Sequence, residues 1–392
     1  MLTITQNPRE TAFVQNPYAV YRAWRDEPFV WWEHYQMPVS ARYDVVNALL
    51  RDRRFGREAP AGCQPKRPAH LKPFYDFESH SMLEREPPTH TRLRGLVSRA
   101  FTPRRIEGLE KEIHTLVNHL IDAFPTGSFD LVPALAEQIP AIVIARMIGV
   151  PESMTPQLLS WSHDMVAMYQ ARRDRLIEDR AVSATLAFSA YIRDLAEKRR
   201  KTPGQDLLSA LLSAEKNGET LTTDELITTT ILLLNAGHEA TTHAISNGIK
   251  TLLEHNAWNA LSSSTPHTAV EETLRFDPPL HMFTRTALVD VEVFNRRFAP
   301  GEQVGFLIAA ANRDPTRWEN PDYFDPTRPA LTHVSFGAGL HFCIGAPLAR
   351  LEIRTALSVL KTRCPHLRLT ATPRYADRYH FHGLENLYVR VD

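Results

Sequence analysis

The chain has 392 residues, 43% of them hydrophobic, and its formal charge is zero because 45 basic residues balance 45 acidic ones. This composition is enough for a large buried core and gives no support to general binding of nucleic acid. The three cysteines, Cys63, Cys343 and Cys364, have unrelated spacings that argue against a disulfide framework, so a cytoplasmic protein is expected. The amino terminus lacks a signal-peptide pattern and no uncharged apolar run could span a bilayer, so no membrane association is expected.

The first half of the chain begins with extended segments and becomes mainly helical. Residues 27–50 (EPFVWWEHYQMPVSARYDVVNALL) predict short strands followed by a helix. Residues 57–88 are rich in Pro and Gly and predict a long, partly irregular loop. From His90 to about Gly218 the apolar spacing is mostly helical, with interruptions at FPTGSFDLV and GVPESMTP.

One predicted helix, residues 221–255, is unusually long. Thr222 and Glu225 at its start have the spacing of a capping box, and no proline interrupts it, so its length is roughly 50 Å. It is apolar on most faces, which is typical of a central helix. Polar residues and a glycine are nevertheless concentrated in its middle: Asn235, Gly237, His238, Glu239 and Thr241. These residues indicate one of two structures: a polar kink satisfied by backbone and water, or a helix opened locally to face a ligand. The second is favoured because the polar residues are so concentrated.

Strand signals return at residues 287–308 (ALVDVEVFNRRFAPGEQVGFLI), where APGE predicts a turn between two extended runs. No repeat, low-complexity linker or composition break divides the chain. The expected architecture is therefore one mainly α domain, residues 1–392, with a small β portion.

The stretch SFGAGLHFCIGAPLAR, residues 335–350, surrounds Cys343 with glycines. Three roles are open to this cysteine: an inert core thiol, a nucleophile or a metal ligand. A zinc site needs three or four ligands, and only His341 lies close in sequence. One thiolate is sufficient when a porphyrin supplies the equatorial ligands. Glycines at 337, 339 and 345 would then let the backbone approach a flat macrocycle and adopt positive φ.

Residues 336–345, FGAGLHFCIG, resemble the haem-binding loop of the cytochrome P450 family, F-x-x-G-x-[HR]-x-C-x-G. Three further family features follow the family's order along the chain: Glu272-x-x-Arg275, Arg328 in NPDYFDPTRP, and the oxygen-binding segment LLLNAGHEATT. The resemblance covers essentially the whole chain. It implies the cytochrome P450 fold, mainly α with a small β portion and a long central helix over the haem.

The resemblance also implies roles for individual residues. Cys343 would bind the iron of haem b as the thiolate, within a loop that contains Phe336, Gly337 and Gly345. His90 and Arg94, four apart on a predicted helix, would bind haem propionates together with Arg285 and His341. The implied structural ion network joins Glu272, Arg275 and Arg328. The expected substrate-lining residues are Tyr75, Leu232, Asn235, Ala236, Ala240, His281 and Met282.

The implied activity inserts one atom of O2 into a mid-sized, mainly apolar substrate. The chain lacks a dinucleotide-binding motif and a four-cysteine iron–sulfur pattern, so electrons from NAD(P)H would arrive through a separate ferredoxin or flavodoxin with its reductase. The protein is expected to be a monomer. Two alternatives remain at this point: a redox-neutral or peroxide-driven reaction, and binding or sensing of a small molecule without turnover.

Six arginines lie on segments that the family places near the cysteine side of the haem. They form either a docking patch for the electron donor or scattered solubilising charge, and the two interpretations are equally expected. These residues are Arg92, Arg99, Arg104, Arg105, Arg350 and Arg354.

The sequence departs from the family pattern at Ala240. The family segment A-G-x-[DE]-T places a threonine directly after the acid, whereas Glu239 is followed here by Ala240 and then Thr241. One helical step turns a side chain by about 100°, so Thr241 does not take the position of the usual threonine. We expect Glu239 to deliver protons through ordered water held by Thr241 or by a substrate hydroxyl. The alternative is a loosely specified site with poor coupling.

Overall fold

The computed structural model describes residues 1–169, 173–214, 218–261, 266–330 and 332–391. Helices predominate in these ranges, as the sequence predicts. The α-helices are α1 (Thr11–Gln15), α2 (Tyr18–Ala23), α3 (Tyr43–Leu49), α4 (Lys72–Glu78), α5 (Thr89–Ala100), α6 (Pro103–Glu107), α7 (Glu110–Asp122), α8 (Gln138–Ile148), α9 (Thr155–Val166), α10 (Arg175–Lys201), α11 (Leu207–Ser213), α12 (Thr223–Glu254), α13 (Pro266–Phe276), α14 (Ile308–Ala311) and α15 (Ala346–Arg363). No helix within these ranges has the length and apolarity needed to cross a membrane.

The strands form one mixed sheet and three small antiparallel sheets. They are β1 (Thr3–Ile4), β2 (Val30–Trp32), β3 (Met37–Ser40), β4 (Phe55–Gly56), β5 (Phe129–Asp130), β6 (Met282–Ala287), β7 (Val291–Val293), β8 (Arg296–Phe298), β9 (Gln303–Leu307), β10 (Arg368–Leu369), β11 (Arg374–Tyr375), β12 (Leu384–Asn386) and β13 (Tyr388–Arg390). The mixed sheet has the order β1-β2-β3-β9-β6-β4, with β1 parallel to β2 and β3 parallel to β9. The predicted strands and helix of residues 27–50 are confirmed as β2, β3 and α3.

The chain folds into two compact units. The first unit comprises Met1–Cys63, Glu110–Gln138 and Ala240–Asp392, and the second comprises Gln64–Leu109 and Ile139–Glu239. Every strand named above belongs to the first unit, and the boundary falls inside α12, between residues 239 and 240. The expectation of a single domain over residues 1–392 stays a prediction.

The mixed sheet of the first unit buries residues on both faces. Val39 and Leu307 pack into one apolar cluster, whereas Val304 and Phe306 of the same strand β9 belong to another. Successive side chains of a strand point to opposite faces, so β9 contributes to both clusters. The cluster with Phe306 also includes Ala338, which anchors the start of the cysteine-containing loop to the sheet.

The second unit corrects one prediction about irregular structure. Residues 72–78, which lie in the predicted long, partly irregular loop, form helix α4. Pro73 lies in the first turn of this helix, where backbone N–H groups have no helical acceptor. The proline therefore starts the helix instead of breaking it.

Helix α12 confirms the capping box. The Thr222 N–H donates to Glu225 Oε2 at 2.9 Å, and the Glu225 N–H donates to Thr222 Oγ1 at 3.2 Å. The expected local opening is wrong, because the helix is continuous from Thr223 to Glu254. A Cβ on Gly237 would lie 3.1 Å from Ile144 Cγ1, so the glycine permits close contact between α8 and α12. His238 Nδ1 lies 3.0 Å from the Leu234 carbonyl oxygen, which satisfies that ring nitrogen one turn back.

Candidate active site

The loop before α15 presents Cys343 at the surface of the first unit. The Cys343 side chain is exposed, and its N–H donates to the Phe336 carbonyl oxygen at 2.9 Å. Gly337 and Gly339 adopt left-handed conformations, with φ of +69° and +68°. Residues Gly339–His341 then form a single 3-10 turn before the cysteine. Two left-handed glycines and one tight turn therefore place the sulfur outside the core.

Glycine is needed at three positions of this loop for different steric reasons. A Cβ on Gly339 would lie 2.5 Å from the Leu50 carbonyl oxygen, an approach that only glycine allows. A Cβ on Gly337 would have no atom nearer than 3.8 Å, so its positive φ alone explains the glycine. A Cβ on Gly345 would lie 3.8 Å from Cys343 Sγ, so glycine keeps the space beside the sulfur open.

We expect alanine substitutions at Gly337 and Gly339 to destabilise the protein unequally. Gly337→Ala should lower the free energy of unfolding by roughly 1–2 kcal/mol, the strain of a left-handed residue with a Cβ. Gly339→Ala should lower it by roughly 2–5 kcal/mol, because the Leu50 backbone must also move. Denaturant midpoints of the two variants measure the difference. Equal losses would show that the contact with Leu50 does not explain Gly339.

The chemistry of this loop fits an iron porphyrin. Cys343 lies three residues before α15, whose N-terminal end carries partial positive charge and favours a thiolate. Neither cluster of three metal-ligating side chains among the described residues includes Cys343, so a zinc site built on it has no support. The remaining metal ligands would come from the porphyrin, and Gly345 leaves room for a flat group at the sulfur.

The cationic residues assigned to haem propionates lie in both units. In the first unit, Arg285 is a buried residue of β6 whose Nη1 donates to the Thr284 carbonyl oxygen at 2.8 Å, and His341 is partly exposed in the 3-10 turn. In the second unit, His90 and Arg94 lie one turn apart on α5, as their spacing predicts, with His90 buried and Arg94 partly exposed. A buried arginine is a suitable partner for a carboxylate.

Arg350 anchors the cysteine loop to α13. Its guanidinium lies 4.5 Å from the centre of the Phe336 ring and forms two hydrogen bonds with Glu271, at 2.6 and 2.9 Å. His333 Nε2 also lies close to this carboxylate, 3.2 Å from Glu271 Oε2. Burial raises the pKa of Glu271, but the contacts with His333 and Arg350 outweigh burial and lower it to about 2.

The lowered pKa of Glu271 predicts a pH dependence of stability. A carboxyl whose pKa falls from 4.5 to about 2 on folding stabilises the protein above pH 4.5, and this contribution is lost as the pH falls towards 2. Glu271→Gln should therefore flatten the fall of the unfolding free energy between these pH values. Urea midpoints at a series of pH values measure the slope. Glu107→Gln, at an exposed carboxylate, is the matched control, and the same flattening there would contradict the prediction.

The predicted ion network of Glu272, Arg275 and Arg328 is confirmed. Arg275 is buried and binds Glu272 through two hydrogen bonds, at 2.7 and 2.8 Å, and Arg328 Nε lies 3.2 Å from Glu272 Oε1. Arg275 also donates to the carbonyl oxygens of Asn312 and Pro321, both at 2.9 Å. These contacts join α13 to the segment that precedes the cysteine loop, which is a structural role.

Helix α12 has an accessible face despite its buried surroundings. Leu232, Ala236 and Ala240 follow one another at four-residue spacing and so share this face, and Ala236 is exposed. Asn235 is partly buried, with Nδ2 at 3.8 Å from Met165 Sδ. Tyr75 on α4 is partly buried beneath the guanidinium of Arg67, 3.9 Å from the ring centre. A substrate-lining role for these residues stays a prediction.

Two other predicted lining residues lie in the core of the first unit. His281 is fully buried, with Nδ1 at 3.2 Å from Tyr21 Oη and its ring 4.0 Å from that of His382. Met282 is 1% exposed and packs in the apolar cluster around Trp32. These contacts make both side chains core residues, which does not support a substrate-lining role for either.

The acid Glu239 has a partner that the sequence did not indicate. Glu239 is buried, and its Oε2 lies 3.3 Å from Nε2 of His163 on α9 and 3.6 Å from Nε2 of His238. Thr241, two residues later, is also buried. Only the packing of α9 against α12 brings His163 to the acid, and no sequence spacing could have identified it.

Carboxylates bind at least three of the six arginines that are candidates for a docking patch. Arg92 pairs with Glu225 at the start of α12, and this pair is mostly buried. Arg350 pairs with Glu271, as described above. Arg354 pairs with Glu110 at 2.9 Å. Arg99 and Arg104 are exposed and Arg105 is partly exposed, so the remaining candidates all belong to the second unit.

Comparisons with known proteins agree with these features. The model of the family "Cytochrome P450" matches residues 14–258 and 267–364. The chain is 35% identical to the "Biotin biosynthesis cytochrome P450" of Bacillus subtilis (strain 168) over 100% of both proteins. It is 38% identical to the "Cytochrome P450 monooxygenase PikC" of Streptomyces venezuelae, over 84% of this chain and 79% of PikC. The crystal structure of P450BioI in complex with hexadec-9Z-enoic acid ligated acyl carrier protein superposes with a TM-score of 0.91 at 35% identity, covering 97% of this chain and 100% of that one.

Proposed function

The chain belongs to the cytochrome P450 family and is a haem-thiolate monooxygenase, and we propose that it oxidises a mid-sized, mainly apolar organic substrate with electrons from a separate ferredoxin or flavodoxin and its reductase. The observation that carries the proposal is the exposed Cys343 sulfur, beside which Gly345 leaves space for a flat group. When bound, haem b supplies the activation of O2 and the transfer of one oxygen atom.

We propose four cationic residues as the partners of the haem propionates. Charge-assisted hydrogen bonds from them would fix the orientation of the macrocycle and balance its negative charge. The burial of Arg285 and His90 supports this role, because a buried guanidinium or imidazole facing a carboxylate is not screened by water. The four residues are His90, Arg94, Arg285 and His341.

Two observations support an apolar substrate with a polar end. The accessible face of α12 presents Leu232, Ala236 and Ala240, with the amide of Asn235 beside them. P450BioI, a relative at 35% identity, is solved in complex with hexadec-9Z-enoic acid ligated acyl carrier protein. An apolar chain bearing an oxygen function matches both the apolar face and the amide.

The test combines ligand binding with turnover. Hexadec-9Z-enoic acid, free and bound to an acyl carrier protein, and a library of apolar compounds are screened for shifts of the haem absorption band. Compounds that bind are then incubated with a surrogate ferredoxin, its reductase and NADPH, or with hydrogen peroxide alone. Product that requires the ferredoxin supports the proposal. Binding without product, or product from peroxide alone, would favour the sensing or peroxide-driven alternative.

We propose that Arg99 and Arg104 contribute to docking of the electron donor. Both are exposed, and a basic patch would attract an acidic ferredoxin or flavodoxin. The double variant Arg99→Gln/Arg104→Gln should raise the ferredoxin concentration for half-maximal reduction by about 10-fold at low salt, and the difference should vanish at high salt. Arg175→Gln, at an exposed arginine of α10, is the matched control. Unchanged reduction at every salt concentration would contradict the proposal.

We propose that Glu239 delivers the protons that the reaction consumes. It is a buried acid on α12, directly before the accessible Ala240, and it contacts the exposed His163. His163 therefore provides a connection between the buried carboxyl and water, which a proton donor needs for each turnover.

A further inference from the structure

Three side chains of the second unit bring their potential metal-ligating atoms together. Nε2 of His163 lies 3.3 Å from Oε2 of Glu239, and Nε2 of His238 lies 3.6 Å from the same oxygen. The ligand atoms of all three residues lie within 4.8 Å of one another. Their elements, α9 and α12, are both regular helices, so the arrangement does not depend on a loop.

Hydrogen bonding orients His238 as a metal ligand. Its Nδ1 lies 3.0 Å from the Leu234 carbonyl oxygen, and since a carbonyl only accepts, Nδ1 carries the proton. In the neutral imidazole, Nε2 then has a lone pair and faces the carboxylate of Glu239. Two acceptors in this arrangement repel unless a proton or a metal cation lies between them. A backbone carbonyl on the other ring nitrogen is also the usual outer partner of a metal-bound histidine.

The distances match the edges of a zinc coordination tetrahedron. Zinc binds imidazole nitrogen and carboxylate oxygen at about 2.0–2.1 Å, which gives ligand-to-ligand edges of roughly 3.3–3.4 Å. The contacts of 3.3 and 3.6 Å to Glu239 Oε2 lie close to these edges. His163 is 46% exposed and leaves a route for an ion to enter. We propose that His163, His238 and Glu239 bind a zinc-class divalent cation.

A second cluster of potential ligands, Asp277, His281 and His382, lacks the route of entry that the exposed His163 provides. All three of its residues are buried in the first unit, so an ion has no path to them from water. The cluster with Glu239 is therefore the better candidate.

Metal binding would inhibit turnover, a consequence that rests on the proposed role of Glu239 as proton donor. A carboxylate held by a divalent cation does not take up and release protons, and His163 would be held at the same ion. Zinc should then lower the product formed per electron consumed and raise the release of hydrogen peroxide. Metal binding itself is independent of that role and is measured separately.

The test uses the haem-loaded protein in a Cys63→Ser background, which removes the exposed thiol outside the cysteine loop. Zinc is titrated against a chromophoric chelator, and one ion per chain is expected to bind. His163→Gln changes an exposed residue and should not affect folding. It should weaken zinc binding by more than about 100-fold, which exceeds the effect of losing an outer partner of a ligand. His238→Gln should do the same, whereas His366→Gln, at an exposed histidine, is the matched control.

X-ray absorption at the zinc edge identifies the ligands without interference from iron. Nitrogen and oxygen neighbours at about 2.0–2.1 Å are expected. Sulfur neighbours, or binding that survives both His163→Gln and His238→Gln, would overturn the proposal. If zinc binds with these ligands but the product per electron is unchanged, the metal site stands and Glu239 is not the proton donor. If zinc does not bind, the site is wrong and the proposed monooxygenase is unaffected.

Discussion

Replacing Cys343 with serine is expected to abolish the thiolate-type absorption band of the reduced protein under carbon monoxide, and all monooxygenase turnover. A serine hydroxyl does not supply the electron-donating thiolate on which oxygen activation in this family depends. The loop itself should still fold, because the left-handed Gly337 and Gly339 and the hydrogen bond from residue 343 N–H to the Phe336 carbonyl oxygen do not involve the sulfur. Absorption spectra and product analysis of the same samples measure both losses.

The other two cysteines are the controls for Cys343. Cys63 is exposed, with Sγ at 3.6 Å from the Pro300 carbonyl oxygen. Cys364 is buried, and burial raises the pKa of its thiol, so it stays protonated. Cys63→Ser and Cys364→Ser should therefore retain the spectrum and the activity. A variant at either position that loses the thiolate band while Cys343→Ser keeps it would show that the assignment of the ligand is wrong.

Features determined by neighbouring residues could be predicted from the sequence. Thr222 and Glu225 are three residues apart, so their reciprocal capping bonds follow from local helix geometry. The pairing of Glu272 with Arg275 is local in the same way, and the resemblance to the family supplied Arg328 as its third member. Gly337 and Gly339 could indicate the shape of the cysteine loop because few residues other than glycine adopt a positive φ.

Contacts between distant segments could not be predicted. Arg92 and Arg350 were candidates for a docking patch, yet each binds a carboxylate far away in the sequence. Their partners, Glu225 and Glu271, lie 133 and 79 residues away and are determined by helix packing. The approach of His163 to Glu239 has the same origin. The sequence therefore indicates which face of a helix a charged residue occupies, but not which residue it pairs with.

The interpretations of Gly237 and His281 failed for a related reason. A glycine within a helix indicates either local opening or close packing, and only the position of Ile144 on α8 decides for packing. His281 follows a proline-rich turn that precedes β6, where a shift of one residue exchanges core and accessible positions. Its contact with Tyr21, 260 residues away, places it in the core.

Replacing Glu239 with glutamine is expected to reduce product formation by roughly 10²–10⁴-fold, the usual contribution of a general acid. The amide has the shape of the carboxyl but does not donate or accept a proton in turnover. Electron consumption should fall less than product, because electrons not used for oxygenation are lost as hydrogen peroxide. Asp224→Asn, at an exposed acid of the same helix, is the matched control and should leave both rates unchanged.

The alanine at position 240 bears on the proposed proton route from Glu239. Glu239 and Thr241 are two residues apart on a continuous helix, about 200° around its axis, so they point to nearly opposite sides. Water bound by Thr241 is therefore badly placed to meet Glu239, which favours a substrate hydroxyl beside Ala240 as the group that holds the water. This geometry predicts tight coupling with the true substrate and release of hydrogen peroxide with an analogue that lacks the hydroxyl.

The Ala240→Thr variant distinguishes a proton route completed by a substrate hydroxyl from one completed by a threonine hydroxyl. With a substrate hydroxyl in place, the added threonine should give little gain in product per electron, or lose rate by crowding that hydroxyl. With the analogue, the threonine should restore part of the lost coupling, because it supplies a hydroxyl on the accessible face of α12. Product per NADPH, measured for both compounds with both proteins, gives the comparison. A gain from Ala240→Thr with every compound, together with an unaffected Glu239→Gln, would mean that neither Glu239 nor the substrate delivers the proton.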